Sequence, residues 1–143
     1  MMTKAMSFCA FMLAATAFLA LAKNPIVSPA YNPATATNLR GTITAVREVP
    51  AGAPLEGVHL TVKAKNTIFD VYLGPAPFMK MLRANCVVGD QVNLSGSLIK
   101  FGDIDVMLTR EMTERDVTLT LRDDDGAPIW ENWGVNIDPA SVR

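Results

Sequence analysis

Residues 58–82 read VHLTVKAKNTIFDVYLGPAPFMKML, and the fold turns on them. Val58, Leu60, Val62 and Ala64 alternate with His59, Thr61, Lys63 and Lys65. A period of two with one apolar face is the pattern of a half-buried antiparallel strand. Lys65, Asn66 and Thr67 make a short turn, after which Phe69, Val71 and Leu73 are expected to face the core, opposite Ile68, Asp70 and Tyr72. Gly74, Pro75, Ala76 and Pro77 stop that strand, and proline suits the first turn of a helix, where a missing N–H costs little. Phe78, Met81 and Leu82 then fall at i, i+3 and i+4, with Lys80 and Arg83 pointing away. The spacing predicts one amphipathic helix of about ten residues, stopping near Asn85.

Toward the N-terminus, residues 39–49 form a first strand in which Gly41, Ile43 and then Val46 imply a phase slip near Thr44 and Ala45. A bulge there would bend a long strand. Residues 50–57 (PAGAPLEG) make the loop between these two strands. Toward the C-terminus, a turn at 88–90 leads into a strand over 91–99, with Val92, Leu94, Gly96 and Leu98 inward and Asn93, Ser95 and Ser97 outward. A four-residue loop, 100–103, joins it to a strand over 104–112 with Ile104, Val106 and Leu108 in phase. A further strand, 117–122, has Val117, Leu119 and Leu121 inward, and the turn 123–126 (DDDG) leads to a last one over 127–133.

Three strands, a helix and two strands, with the first strand bent, is the element order of the OB-fold, a five-stranded, partly open Greek-key barrel. We therefore expect a mainly β, OB-fold-like barrel of five or six strands spanning 39–133, with one short helix between strands three and four. Residues 134–143 form a tail without a clear pattern, and 23–38 (KNPIVSPAYNPATATN) a Pro-rich, irregular lead-in.

Residues 5–22 are uncharged and apolar, follow Lys4, and end in Ala20-Leu21-Ala22, an A-x-A cleavage pattern directly before Lys23. We read 1–22 as a signal peptide and the mature protein as exported, periplasmic or secreted. The alternative is an uncleaved anchor holding a membrane-tethered subunit, since this run sits at the short edge of a membrane span of about 17–25 residues. Cleavage leaves 121 residues with 12 basic and 14 acidic side chains, a net charge of −2. That balance argues against a nucleic-acid binder. It also removes Cys9 and leaves Cys86 alone, so the core must carry stability without an internal disulfide; Cys86 is expected to act as a buried small hydrophobe.

Residues 57–63 (GVHLTVK), 71–76 (VYLGPA), 88–92 (VGDQV) and 121–130 (LRDDDGAPIW) carry a resemblance to small exported bacterial OB-fold proteins of uncharacterised function. The chain is similar in the same stretches to the MamS/MamX type of domain among magnetosome proteins, over roughly 39–130. These are turn and packing signatures, so the resemblance implies the fold and no activity. The sequence lacks the Cys-x-x-Cys-His haem attachment found in some magnetosome proteins, and no haem role carries over.

The mature chain has one histidine, His59, and one cysteine, whereas a zinc site built from those types needs three or four ligands. No nucleophile elbow and no glycine-rich phosphate loop is present. We therefore expect a non-enzymatic protein with no cofactor and no dedicated metal. The run Asp123-Asp124-Asp125-Gly126 would put Leu121 and Asn132 at the first and last ligand positions of an EF-hand, and we read it as a charged β-turn. The alternative is a metal-binding protein or metal-dependent enzyme using this turn with His59 or Asp103. OB-folds bind across strands two and three, flanked by the loops after strands one and four. Mapped by element order, that face holds His59, Thr61, Lys63, Asp70 and Tyr72, with Leu55 and Phe101 at the loop tips. One tyrosine and one phenylalanine are a thin platform for bases, leaving a small ligand, an oligosaccharide, a cationic compound or a protein partner. Trp130 and Trp133 are expected to cover an open barrel edge.

Overall fold

The computed structural model describes residues 30–132; the leader, the start of the lead-in, Trp133 and the tail lie outside them. Six strands occur in the order β1 (Ala36–Val49), β2 (Gly57–Ala64), β3 (Thr67–Gly74), β4 (Gln91–Phe101), β5 (Ile104–Glu114) and β6 (Val117–Thr120), with helix α1 (Ala76–Met81) between β3 and β4. The first strand serves two partners. Its first half pairs with β4 (Ala36↔Ser97 to Thr42↔Gln91) and its second with β2 (Thr42↔Lys63 to Val49↔Gly57). The expected bulge lies between Ile43 and Ala45, and it lets one strand turn from one partner to the other. Antiparallel β2–β3 and β4–β5 pairs and a short parallel β3–β5 pair, Asp70↔Val106 to Tyr72↔Leu108, close a five-stranded barrel of the OB type, with β6 added on β5.

Inside the barrel, Ile43, Leu60, Val62, Val71, Leu73 and Met107 are fully buried. The β2 and β3 alternation places Leu60, Val62, Val71 and Leu73 where the sequence pattern puts them. Several expectations are corrected. Strand β1 begins at Ala36, three residues before its expected start and within the expected lead-in, after a 3-10 turn at Pro33–Thr35. Helix α1 has six residues and turns Phe78 and Met79 inward, while Met81 is 46% exposed. It stops because Arg83 takes a left-handed φ of 53° and the amides of Arg83 and Ala84 bond back to Lys80 and Met79.

A second bulge, opposite Ser95 and Gly96, adds Arg110 to β5 and shifts the phase of that strand, while β4 keeps its own. Ser97 keeps the outward face expected of it, opposite Leu108, but is fully buried beneath the lead-in: its hydroxyl accepts from the Asn32 amide (3.0 Å) and bonds the Thr35 hydroxyl (2.8 Å). A Cβ at Gly96 would collide with the Leu108 carbonyl oxygen on β5. The β4–β5 connection is a two-residue turn, Gly102 and Asp103, because Lys100 and Phe101 stay paired with Asp105 and Ile104. Residues 127–132 form no strand. The Asp123 carboxylate accepts from the amides of Asp125 (3.0 Å) and Ala127 (2.8 Å), which folds the chain tightly. One bridge, Arg122↔Pro128, and a 3-10 turn, Ile129–Asn132, follow. Val117, expected inward, is 58% exposed.

The largest departure concerns β5. Val106 and Leu108 do not face the barrel interior. They join Leu55 and Tyr72 in a second buried cluster, against which Tyr31, Phe101 and Trp130 pack, while Met107 and Met112 fill the main core. The parallel β3–β5 pair is thus covered on both faces, as parallel strands generally are.

Candidate functional site

Five of the residues expected to form a ligand face, His59, Thr61, Lys63, Asp70 and Tyr72, do share the outer surface of β2 and β3, in the cross-strand pairs His59↔Tyr72 and Thr61↔Asp70 and with Lys63 opposite Ile68. The structure divides that face. Lys63 is exposed and Thr61 and Asp70 are partly so, whereas His59 and Tyr72 are 3% and 5% exposed. Phe101 is not at a free loop tip but packs partly buried against the second cluster, and Leu55 is buried within it.

His59, expected to be solvated or to face a partner, is instead the bolt that holds the β1–β2 loop. Its Nδ1 lies 3.0 Å from Asp70 Oδ1 and its Nε2 lies 2.7 Å from the Leu55 carbonyl. Both neighbours are acceptors, and both ring nitrogens are engaged, so neither is presented to the surface. Arg47 donates to Asp70 from the other side at 2.7 Å. Burial works to raise the Asp70 carboxyl, but the His59 hydrogen bond and charge, with Arg47, outweigh it and hold the group below its ordinary value. Tyr72 completes the anchor: its hydroxyl donates to the Glu56 carbonyl at 2.9 Å and its ring lies 5.1 Å from the imidazole. Burial pushes its phenol up to about 12, against the pull of the Arg122 charge and with Glu56 adding to the rise. Tyr72 therefore stays a neutral donor.

Beside this anchor opens a cleft of about 540 Å³. The β1–β2 loop forms one wall, with Ala53, Leu55 and Glu56; the lead-in and the segment after β6 form the other, with Tyr31, Arg122 and Trp130. The guanidinium of Arg122 lies 5.1 Å from the Trp130 ring and 5.9 Å from that of Tyr31. Trp130 also packs edge-on to Tyr72 (6.3 Å) and against Phe78 (5.5 Å), so it covers the barrel side as expected. Gly126 sits at φ +86°, and a Cβ there would enter the Tyr31 ring; glycine is what lets the lead-in dock on the DDDG turn. Nothing local singles out Arg122 in the sequence. It stands between Leu121 and three aspartates and looks like one more charge of a solvated turn.

The other sequence candidates for chemistry are not brought together. Asp124 is 97% exposed and pairs with Arg110 at 3.0 Å, Asp123 is spent on backbone amides, and His59 is held by Asp70 and Leu55. Among the described residues, no group of three or more His, Cys, Asp or Glu side chains could hold a metal ion. Cys86 is half-buried against the main core, and burial, reinforced by Glu114 and Asp90, pushes its thiol up to about 11.

One titratable pair escaped the sequence. Asp90 Oδ2 and Glu114 Oε1 are buried without a hydrogen-bond partner, and the two carboxyls act on each other; a single proton shared between them would satisfy both. Burial, then the Asp90 hydrogen bond and charge, push Glu114 up to about 7, while the bonds from Glu114 and Arg115 hold Asp90 low. The folded protein thus binds this proton more tightly than the unfolded chain. The stabilisation is complete below about 4.5, the ordinary value, and is lost as pH rises through about 7. Glu114→Gln, a permanent donor, should flatten the fall in melting temperature between these limits and gain on the order of 1 kcal/mol at high pH, after solvent screening. Parallel melting curves for the two proteins across that range would refute the shared proton.

No curated protein matches the chain. A family model does match, over residues 35–119, taking in three of the four stretches that carried the resemblance and stopping before Arg122. That model is described as the MamS/MamX magnetosome protein family, and the chain belongs to this family.

Proposed function

We propose that the protein is an exported, non-enzymatic accessory module that holds a small ligand or a short piece of a protein partner in the cleft beneath the β1–β2 loop. One observation carries this: an apolar cluster outside the barrel is roofed on two sides and left open between them, with a buried guanidinium in its wall. Clefts of about 300–1,000 Å³ with mostly apolar walls and few polar groups are the usual form of ligand sites. The pinned loop favours binding, because a wall already ordered costs little to order again. Export is supported by the uncharged run 5–22 and its A-x-A end, and N-terminal sequencing of cell-derived protein should start at Lys23. The family name associates such modules with magnetosomes, and an accessory part in that setting suits a small barrel whose one histidine is occupied structurally.

The test compares three proteins purified gently from the native cells: wild type, Ala53→Trp, which plugs the cleft from its wall, and Lys63→Glu, on the open end of the β2–β3 face. Native mass spectrometry should find added mass or a co-purifying partner on wild type and Lys63→Glu, and none on Ala53→Trp. Loss in Lys63→Glu with retention in Ala53→Trp would move the site to the open face and overturn the cleft. Three bare proteins would remove the binding function.

A further inference from the structure

Arg122 is 6% exposed, yet no ion pair among the described residues involves it. One terminal nitrogen donates to the Gly126 carbonyl at 3.0 Å, and its Nε–H is buried without an acceptor. Burial lowers its hold on the proton, against the opposing effect of Tyr72, Glu131 and Tyr31. A desolvated cation is ordinarily matched by an anion, because the low-dielectric surroundings that make it costly alone make a partner's attraction strong. Here the aromatic faces of Trp130 and Tyr31 flank the guanidinium without supplying a negative charge, and the side chain lines an open cleft.

Resting on the cleft as the binding site, we propose that its ligand is a small monocarboxylate with an apolar or aromatic body, the carboxylate seated on Arg122. A carboxylate matches the planar fork of a guanidinium and can accept two parallel N–H bonds from it. The body of the acid lies against Leu55, Tyr72 and Pro75, which line the same space. Charge number is set by two further members of the lining, Glu56 and Glu131. Their carboxylates repel a dianion such as a phosphate monoester more than they repel a single negative charge. Glu56 is partly satisfied by the Gly52 amide at 2.7 Å, whereas Glu131 acts directly on Arg122 and is the side chain that tunes the site.

Three probes share one ring and differ in charge: phenylacetamide, phenylacetate and phenyl phosphate. The chain has two tryptophans, so Trp133→Phe leaves Trp130 as the only indole, and its fluorescence reports the cleft. Phenylacetate should bind saturably, about tenfold or more tighter than phenylacetamide, and tighter than phenyl phosphate. Arg122→Lys should erase most of the preference over the amide. Because replacing a buried arginine can unfold the protein, Glu131→Gln supplies an independent arm: phenylacetate should tighten severalfold and phenylacetamide should not change. Equal binding of acid and amide, stronger binding of phenyl phosphate, or indifference of phenylacetate to Glu131→Gln would each overturn the carboxylate assignment and leave the cleft standing. If none of the three probes perturbs Trp130 at millimolar concentration, the cleft itself falls as the binding site.

Discussion

Gly96→Val should destabilise the barrel by about 3 kcal/mol or more. At Gly96 the strands β4 and β5 approach so closely that a Cβ would overlap the Leu108 carbonyl oxygen and crowd the Thr109 Cα. Backbone cannot swing aside as a flexible side chain can, so relief requires separating two paired strands. The glycine also adjoins Ser97, which is buried beneath the lead-in and ties it down through Asn32 and Thr35. Loss of the close approach should therefore loosen residues 32–35 as well as β4 and β5. Gly52→Ala is the control: it has a φ of +87° but nothing within 4 Å, so it should cost only about 1 kcal/mol of backbone strain. Denaturant midpoints decide the matter, and equal costs for the two variants would refute the close approach.

His59→Ala should cost about 3 kcal/mol. The imidazole is 3% exposed and engages both Asp70 and the Leu55 carbonyl, so its removal leaves a buried carbonyl unpaired, a carboxylate with Arg47 as its remaining charged partner, and a hole beside the Tyr72 ring. The loss should be local in kind. Amide exchange in the β1–β2 loop, residues 50–56, should speed up far more than in β2 and β3. A pH signature accompanies it. The folded Asp70 carboxyl is held below its ordinary value, so its contribution is present above that value and is lost as pH falls through the lower, folded one. With Arg47 alone facing Asp70, the acid limb of the stability curve should become shallower. Unchanged exchange in the loop would sink the idea that His59 holds it.

Both variants expose how unevenly the molecule is written in its sequence. The barrel interior is legible because local chemistry decides it. Leu60, Val62, Val71 and Leu73 recur every second residue, and such a pattern can bury its apolar side in only one way. The Thr44 slip in β1 was legible for the same reason, since a bulge changes which residues share a face. The second bulge was not. It lies in β5, where Arg110 is the extra residue opposite Ser95 and Gly96, and only the pairing with β4 reveals the change of phase that lets both Met107 and Met112 enter the core.

The candidate face was half legible. Element order brought His59, Thr61, Asp70 and Tyr72 onto one surface, but periodicity assigns a polar residue to the outside of a barrel without saying whether something lies over it. Here the β1–β2 loop does, and it converts His59 and Tyr72 from surface groups into anchors. Val106 and Leu108 were misassigned by the same blindness, since an apolar face can be buried against an outer layer as well as against the barrel interior.

From its sequence alone, this protein is an OB-type barrel with a bent first strand, one helix after the third strand, a charged DDDG turn and too few histidines and cysteines for most site chemistry. Those are properties of neighbours in the chain, where periodicity, proline, glycine and residue counts act directly. The cleft, the guanidinium of Arg122 between two rings and the raised Glu114 carboxyl beside Asp90 belong to the tertiary structure. Each depends on side chains far apart in sequence meeting out of water, and desolvation, the force that gives them their character, acts only after the chain has folded.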